Sequence, residues 1–263
     1  MQLQAFLEKK NASPSRLFVG QRNPILTEKD LYRLGRSVVD LYARAMLKMD
    51  IQWRAPLPDC PKILAANHPT TIDPFLIMLL ASEQVSVLVT ESCFEIPVFG
   101  RLLRESGHVP VVRNSGGATV EAALRLLAEG RTVAIFPEGA ISPANGGVHP
   151  PRSGVARLAV SGGALVIPVG IGLDRDRIRR IETELNGKPE VITWYLHGPY
   201  SVTVGRPLTF EGDVQDRERV RAVAGHVMND ICGLARESQS RVERTQAAEV
   251  GALPAPAWLT NAR

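Results

Sequence analysis

Five short runs of aliphatic and β-branched residues, at 63–66, 85–90, 108–112, 132–136 and 166–171, alternate with helical patterns at 70–81, 118–129 and 155–160. That rhythm leaves few folds open. Parallel strands need a crossover between them, and a sheet built in this way must be covered on both faces. The chain is therefore expected to be α/β, a single domain with a central mixed, largely parallel sheet flanked by helices. Two further strands are expected at 191–196 and 201–204, and a last helix at 214–237. With 263 residues, 44% of them hydrophobic, the chain is long enough to bury a full core.

Ahead of the first strand, residues 27–53 read as a two-faced helix. Leu31, Leu34, Val38, Leu41, Tyr42, Ala45 and Met49 recur at helical spacing, Lys29, Arg33, Arg36, Arg44 and Lys48 occupy the other face, and Thr27 with Asp30 forms a capping box. Such a helix either lies in an anionic lipid surface or packs on the core with its basic face in water. The chain thus divides into an N-terminal lead and amphipathic helix at 1–60, an α/β domain at 61–237, and a tail at 238–263 expected to be disordered. The charged stretch 174–189 is either a helix or a mobile loop, and a lid or a solvated connection in consequence.

Composition narrows the setting. The most apolar window, 63–81, contains His68, Pro69, Asp73 and Pro74, which makes it a poor membrane span. No signal peptide is visible, and three widely spaced cysteines suit a reducing cytoplasm rather than a disulfide framework. A net charge of +4 suits an anionic surface or an acidic substrate, while 5% aromatic residues and the lack of a recognised motif argue against nucleic acid.

The polar residues at the strand ends carry the chemistry. In Ala66-Asn67-His68-Pro69-Thr70-Thr71-Ile72-Asp73 a histidine and a carboxylate stand five positions apart where a strand feeds a helix. A carboxylate so placed can reach back to one imidazole nitrogen and leave the other free as a general base. The same pair also fits a helix cap and a hydrogen-bonded polar residue. Further along, Gly107-His108-Val109-Pro110-Val111-Val112-Arg113 ends a strand on an arginine, and Ile135-Phe136-Pro137-Glu138-Gly139 ends another with a glutamate in a turn. Arg152-Ser153-Gly154 opens the helix that leads to Leu165-Val166-Ile167-Pro168-Val169. The remaining histidines, His108, His149, His197 and His226, show no metal-ligand spacing.

Taken in order, these segments resemble the four blocks of the glycerolipid acyltransferase family, which includes the 1-acyl-glycerol-3-phosphate and lysophospholipid acyltransferases. The blocks are Asn-His-x4-Asp, Gly-x3-[Ile/Val]-x-Arg, Phe-Pro-Glu-Gly and Val/Ile-Pro, and the resemblance spans about residues 62–170. It implies transfer of a fatty acyl group from acyl-CoA or acyl-carrier protein to a lysolipid hydroxyl, at the cytoplasmic face of a membrane that the enzyme meets peripherally. No cofactor beyond the thioester co-substrate is implied. The pattern departs from the family at Gly139-Ala140-Ile141-Ser142, where Gly-Thr-Arg-Ser is common, and at Arg152, where a lysine is usual. Ile141 keeps open an acceptor without phosphate.

On this reading His68 is the base and Asp73 its orienting partner. With no Gly-x-Ser-x-Gly pattern, and with Cys60, Cys93 and Cys232 outside the blocks, direct attack by the acceptor is expected rather than a covalent acyl-enzyme. Arg113 is assigned to an acceptor phosphate, which a guanidinium grips through parallel hydrogen bonds, with help from Arg152. Glu138 either binds an acceptor hydroxyl or orients the backbone of the site, and Gly139 allows close approach or a positive φ. Asn67 is expected to anchor the loop that presents His68. Two rival activities use the same residues: hydrolysis of the thioester by activated water, and a non-catalytic membrane-binding role.

Overall fold

The computed structural model describes residues 27–112, 116–185 and 188–251. Its centre is a seven-stranded sheet in the order β1-β9-β6-β2-β5-β3-β4, with β1 Leu47–Trp53, β2 Lys62–Ala66, β3 Val85–Thr90, β4 Val109–Val111, β5 Thr132–Ile135, β6 Leu165–Leu173 and β9 Gly198–Val204. The block from β6 to β4 is parallel, β9 runs antiparallel to β6, and β1 runs parallel to β9. The mixed, largely parallel sheet expected from the strand and helix alternation is therefore present.

The central strands read as unbroken apolar runs because both faces are covered. In β2, Leu64 and Ala66 face one core and Ile63 and Ala65 the other, the period-2 division of a strand. The second core is closed by α5 Gly116–Ala128, α6 Gly154–Gly162 and α7 Arg217–Gly251. On the first lie α1 Glu28–Met46, the one-turn α2 Asp73–Leu76 and a 3-10 turn, Ile77–Leu80. Two short helices, α3 Glu91–Glu95 and α4 Phe99–Glu105, lead from β3 to β4. The long α7 lies directly on β6, where a Cβ at Gly170 or Gly172 would collide with the helix backbone at Leu234–Ala235 or Ser238–Gln239. Glycine there is a requirement of close approach.

Four expectations need correction. The helix proposed for 27–53 stops at Met46, and Leu47–Trp53 is an edge strand bonded to β9, so the segment 1–60 contributes to the sheet instead of standing outside it. The helix at 70–81 is one α-helical turn followed by a 3-10 turn, because Pro74 fits only the first turn. The charged stretch 174–189 is a 3-10 turn, Arg175–Arg177, followed by the first arm of a hairpin, β7 Arg179–Leu185 with β8 Lys188–Trp194. The last helix runs to Gly251, so residues 238–251 are ordered helix and not tail. Residues 1–26 of the N-terminal lead and 252–263 of the tail lie outside the described residues.

The capping box at Thr27 and Asp30 is present, but the face of α1 that packs is not the one its apolar spacing suggests. Tyr32 and Ala43 are buried, and Arg36, assigned to the solvated face, donates to Met78 O and Ala81 O at 3.3 and 3.2 Å. Leu34, Val38 and Leu41 are left 57%, 61% and 67% exposed.

Candidate active site

Three parallel strands deliver the site at their carboxyl ends, where α/β sheets bind ligands. Past the end of β2, the buried Asn67 side chain donates to Ile171 O at 2.9 Å and accepts from Ile171 N–H at 2.7 Å. It prolongs the β2–β6 ladder, whose last pair is Ala66 with Val169, by one side-chain rung. The anchoring role expected of Asn67 is its observed geometry.

His68 follows, and every polar group it has toward the protein is engaged. Its N–H meets Glu138 Oε1 at 2.9 Å and Ser142 Oγ at 3.2 Å, and its carbonyl accepts from Ser142 N–H at 2.8 Å. The ring stacks on Phe136 at 4.3 Å between centroids, and Nδ1 lies 3.1 Å from Asp73 Oδ2. A carboxylate there accepts, so the tautomer assigned by this contact carries its proton on Nδ1 and a lone pair on Nε2. The described residues offer Nε2 no hydrogen bond, and 16% of the side chain remains open to solvent. This is the arrangement of a general base held by an orienting carboxylate.

Asp73 has no exposed surface. Its Oδ2 also accepts from Thr70 N–H at 2.7 Å, while Oδ1 accepts from the hydroxyls of Thr70 at 2.6 Å and Tyr200 at 2.8 Å. Thr70 is thus a partner of the carboxylate through both its N–H and its hydroxyl. The next residue, Thr71, is tied to β8: its N–H donates to Thr193 O at 2.9 Å and its hydroxyl accepts from Thr193 N–H at 2.9 Å.

Glu138 is buried, and protein donors fill both of its oxygens. Oε1 takes the His68 N–H and the Ser142 hydroxyl, and Oε2 takes His149 N–H at 2.7 Å. That geometry is one of orienting the backbone around His68 and His149. Gly139 has a φ of +62°, and a Cβ there would strike the Arg152 side chain; the backbone N–H of Arg152 donates to Pro137 O at 2.8 Å. Arg152 therefore lies on the Glu138–Gly139 turn, with its residue exposed to solvent. Arg113 lies outside the described residues, between the end of β4 and the start of α5.

Tyr200, Thr193, Phe136, Ser142 and His149 were not anticipated as parts of this site. Phe136 and Ser142 lie within or beside the quoted blocks and were within reach of the sequence. Tyr200 and Thr193 lie over 120 residues from the loop they hold, and no local pattern marks them. The other histidines are dispersed: His108, half-buried, accepts from Val87 N–H, His149 Nε2 meets Ile141 O, His197 faces Arg177, and His226 lies on α7. Among the described residues no three His, Cys, Asp or Glu side chains form a group able to hold a metal.

Residues 49–172 match the model of the Acyltransferase family. The crystal structure of the 1-acyl-sn-glycerophosphate (LPA) acyltransferase PlsC from Thermotoga maritima is similar to this chain with a TM-score of 0.53 and 20% sequence identity, over 80% of this chain and 79% of that one. The likeness is one of fold. No curated protein matches the chain.

Proposed function

We propose that this chain, whose residues 49–172 match the Acyltransferase family, moves a fatty acyl group from an acyl thioester, acyl-CoA or acyl-carrier protein, to the hydroxyl of a lysophospholipid, foremost 1-acyl-glycerol-3-phosphate. One observation carries the reading: His68 Nδ1 is held by a buried carboxylate while Nε2 is left unpartnered among the described residues, in a ring that solvent reaches. Nε2 takes the proton of the acceptor hydroxyl as its oxygen attacks the thioester carbonyl. The C–S bond of the resulting tetrahedral intermediate breaks, and the imidazolium returns the proton to the departing thiolate. Asp73 stabilises the imidazolium between these steps. Ser142, the hydroxyl beside His68, donates a hydrogen bond to Glu138 and accepts one from the His68 N–H, which supports direct transfer over an acyl-enzyme.

Arg113 and Arg152 are the cations proposed for an acceptor phosphate, and the reaction so written uses no resident cofactor. The likeness of fold to an LPA acyltransferase supports a lysolipid acceptor. A lysolipid must be met at a membrane, and no helix among the described residues is long and apolar enough to cross one. The uncovered Leu34, Val38 and Leu41 of α1, with Arg33 and Arg44 beside them, support peripheral contact with an anionic surface, at the cytoplasmic face. A phosphate-free acceptor is the second reading, favoured by Ile141 in place of a cation.

The test is transfer from labelled acyl-CoA and acyl-carrier protein, each offered lysophosphatidic acid, other lysophospholipids and a phosphate-free alcohol. Acceptor-dependent product that falls by about 10²–10⁴-fold in His68→Ala is the expected result. Free fatty acid formed at the same rate with no acceptor would identify a thioesterase, and full activity in His68→Ala would remove the proposed base.

A further inference from the structure

The His68–Asp73 pair is completed from outside the segment matched by the family model. Asp73 divides its partners by oxygen: Oδ2 faces the imidazole and the Thr70 N–H, and Oδ1 faces two hydroxyls, those of Thr70 and Tyr200. A carboxylate with no exposed surface cannot exchange a lost donor for water, so its donors decide how it is turned. Thr70 belongs to the same loop and moves with Asp73. Tyr200 belongs to β9 and is itself fully buried, so it ties the carboxylate to the sheet.

We propose that Tyr200 is a positioning residue for acyl transfer: its hydroxyl fixes Asp73 so that Oδ2 meets His68 Nδ1, which keeps the lone pair of the imidazole on Nε2. The inference rests on the acyl-transfer reading of the site. Burial, together with the Asp73 charge beside it, holds the phenol's pKa well above its usual value, so Tyr200 stays a donor throughout the working range. Tyr42 of α1 and Tyr195, just past β8, are the other titratable groups near it. Both donate to backbone carbonyls and not to Asp73. The ring lines a small apolar pocket with Met49, Leu76, Ile77 and Val202, so removal of the hydroxyl alone leaves its packing in place.

Tyr200→Phe is the test, read in two ways. Steady-state transfer should show kcat reduced by roughly ten- to a hundredfold with KM for both substrates nearly unchanged, the scale of one lost hydrogen bond to a charged group. Imidazole ¹⁵N NMR of the neutral ring, with His68→Ala to assign the signal, should show His68 protonated on Nδ1 in the wild type and a mixture of the two tautomers in Tyr200→Phe, because Asp73 Oδ2 is no longer held against Nδ1. A lower melting temperature and lower activity with the tautomer unchanged would show a merely structural hydroxyl and overturn the proposal. If the wild-type protein transfers no acyl group, the proposed function fails, while the tautomer, which needs no substrate, still decides the role of Tyr200. Should Tyr200→Phe not fold, p-aminophenylalanine at the same position keeps the shape with a weaker donor and should give a partial loss of the Nδ1-protonated form; an unchanged tautomer overturns the proposal.

Discussion

Glu138 illustrates how a residue can belong to a reaction without meeting its substrate. Three donors converge on its buried carboxylate, from His68, Ser142 and His149, and one of those residues, Ser142, also fixes the loop that presents the imidazole. Glu138→Gln turns an acceptor into a group with donors facing donors, an exchange that costs about 1–3 kcal/mol when buried. Chemical denaturation should show that loss, and kcat should fall with it while the acceptor KM holds. A raised acceptor KM at unchanged stability would return Glu138 to the acceptor pocket. His68 and Asp73 were legible in the sequence because five positions separate them, so one loop sets their distance. Tyr200 was not, since only the pairing of β9 beside β6 brings its hydroxyl to Asp73.

Elements were legible in proportion to how completely one face is buried. The central strands, covered on both sides, announced themselves as apolar runs. The hairpin of β7 and β8 did not, because Arg179, Arg180, Ile181, Glu182, Thr183 and Glu184 are all exposed and no alternation marks a buried face. The end of α7 was hidden for a related reason. Its inward residues are mostly polar: Ser238 shares hydrogen bonds with Thr203 and Gly170 O, and Arg241 reaches Asp50, Thr203 and Val202 O. In α1 the misleading signal was strong, an apolar stripe in which Leu34, Val38 and Leu41 cover nothing. Replacing Leu34, Val38 and Leu41 together by Gln should lower binding to anionic vesicles at least several-fold while the melting temperature barely moves, since exposed substitutions usually cost under about 0.5 kcal/mol each. Unchanged sedimentation with vesicles would take α1 out of the membrane contact.

At the scale of the whole molecule, stability should carry a pH signature from one half-buried group. His108 lies where α1, β3 and the turn before β4 meet, accepting from Val87 N–H at 3.2 Å near the Tyr32 ring. Burial lowers its pKa to about 4, against a smaller opposite pull from Glu28. In the unfolded chain the imidazole takes its proton near pH 6.5, so between that pH and about 4 the unfolded state binds the extra proton. The contribution is complete above pH 6.5 and is lost as pH falls toward 4, by about 3 kcal/mol in all. Denaturation midpoints measured from pH 7 to 4 should fall less steeply in His108→Gln, which keeps an acceptor for Val87; parallel curves would refute the assignment. The α/β class followed from strand and helix order alone. The reversed direction of β1 and β9 did not, because direction is decided by long-range pairing that leaves no trace in composition.

The close seat of α7 on Gly170 and Gly172 has a consequence for how the protein is made. Ile171, between those glycines, grips Asn67 at the root of the loop that carries His68. During translation β6 leaves the ribosome before α7, so all of the segment 49–172 is synthesised before the helix that presses on its back. The pairing of β6 with Asn67 reaches its final packing only once α7 is in place.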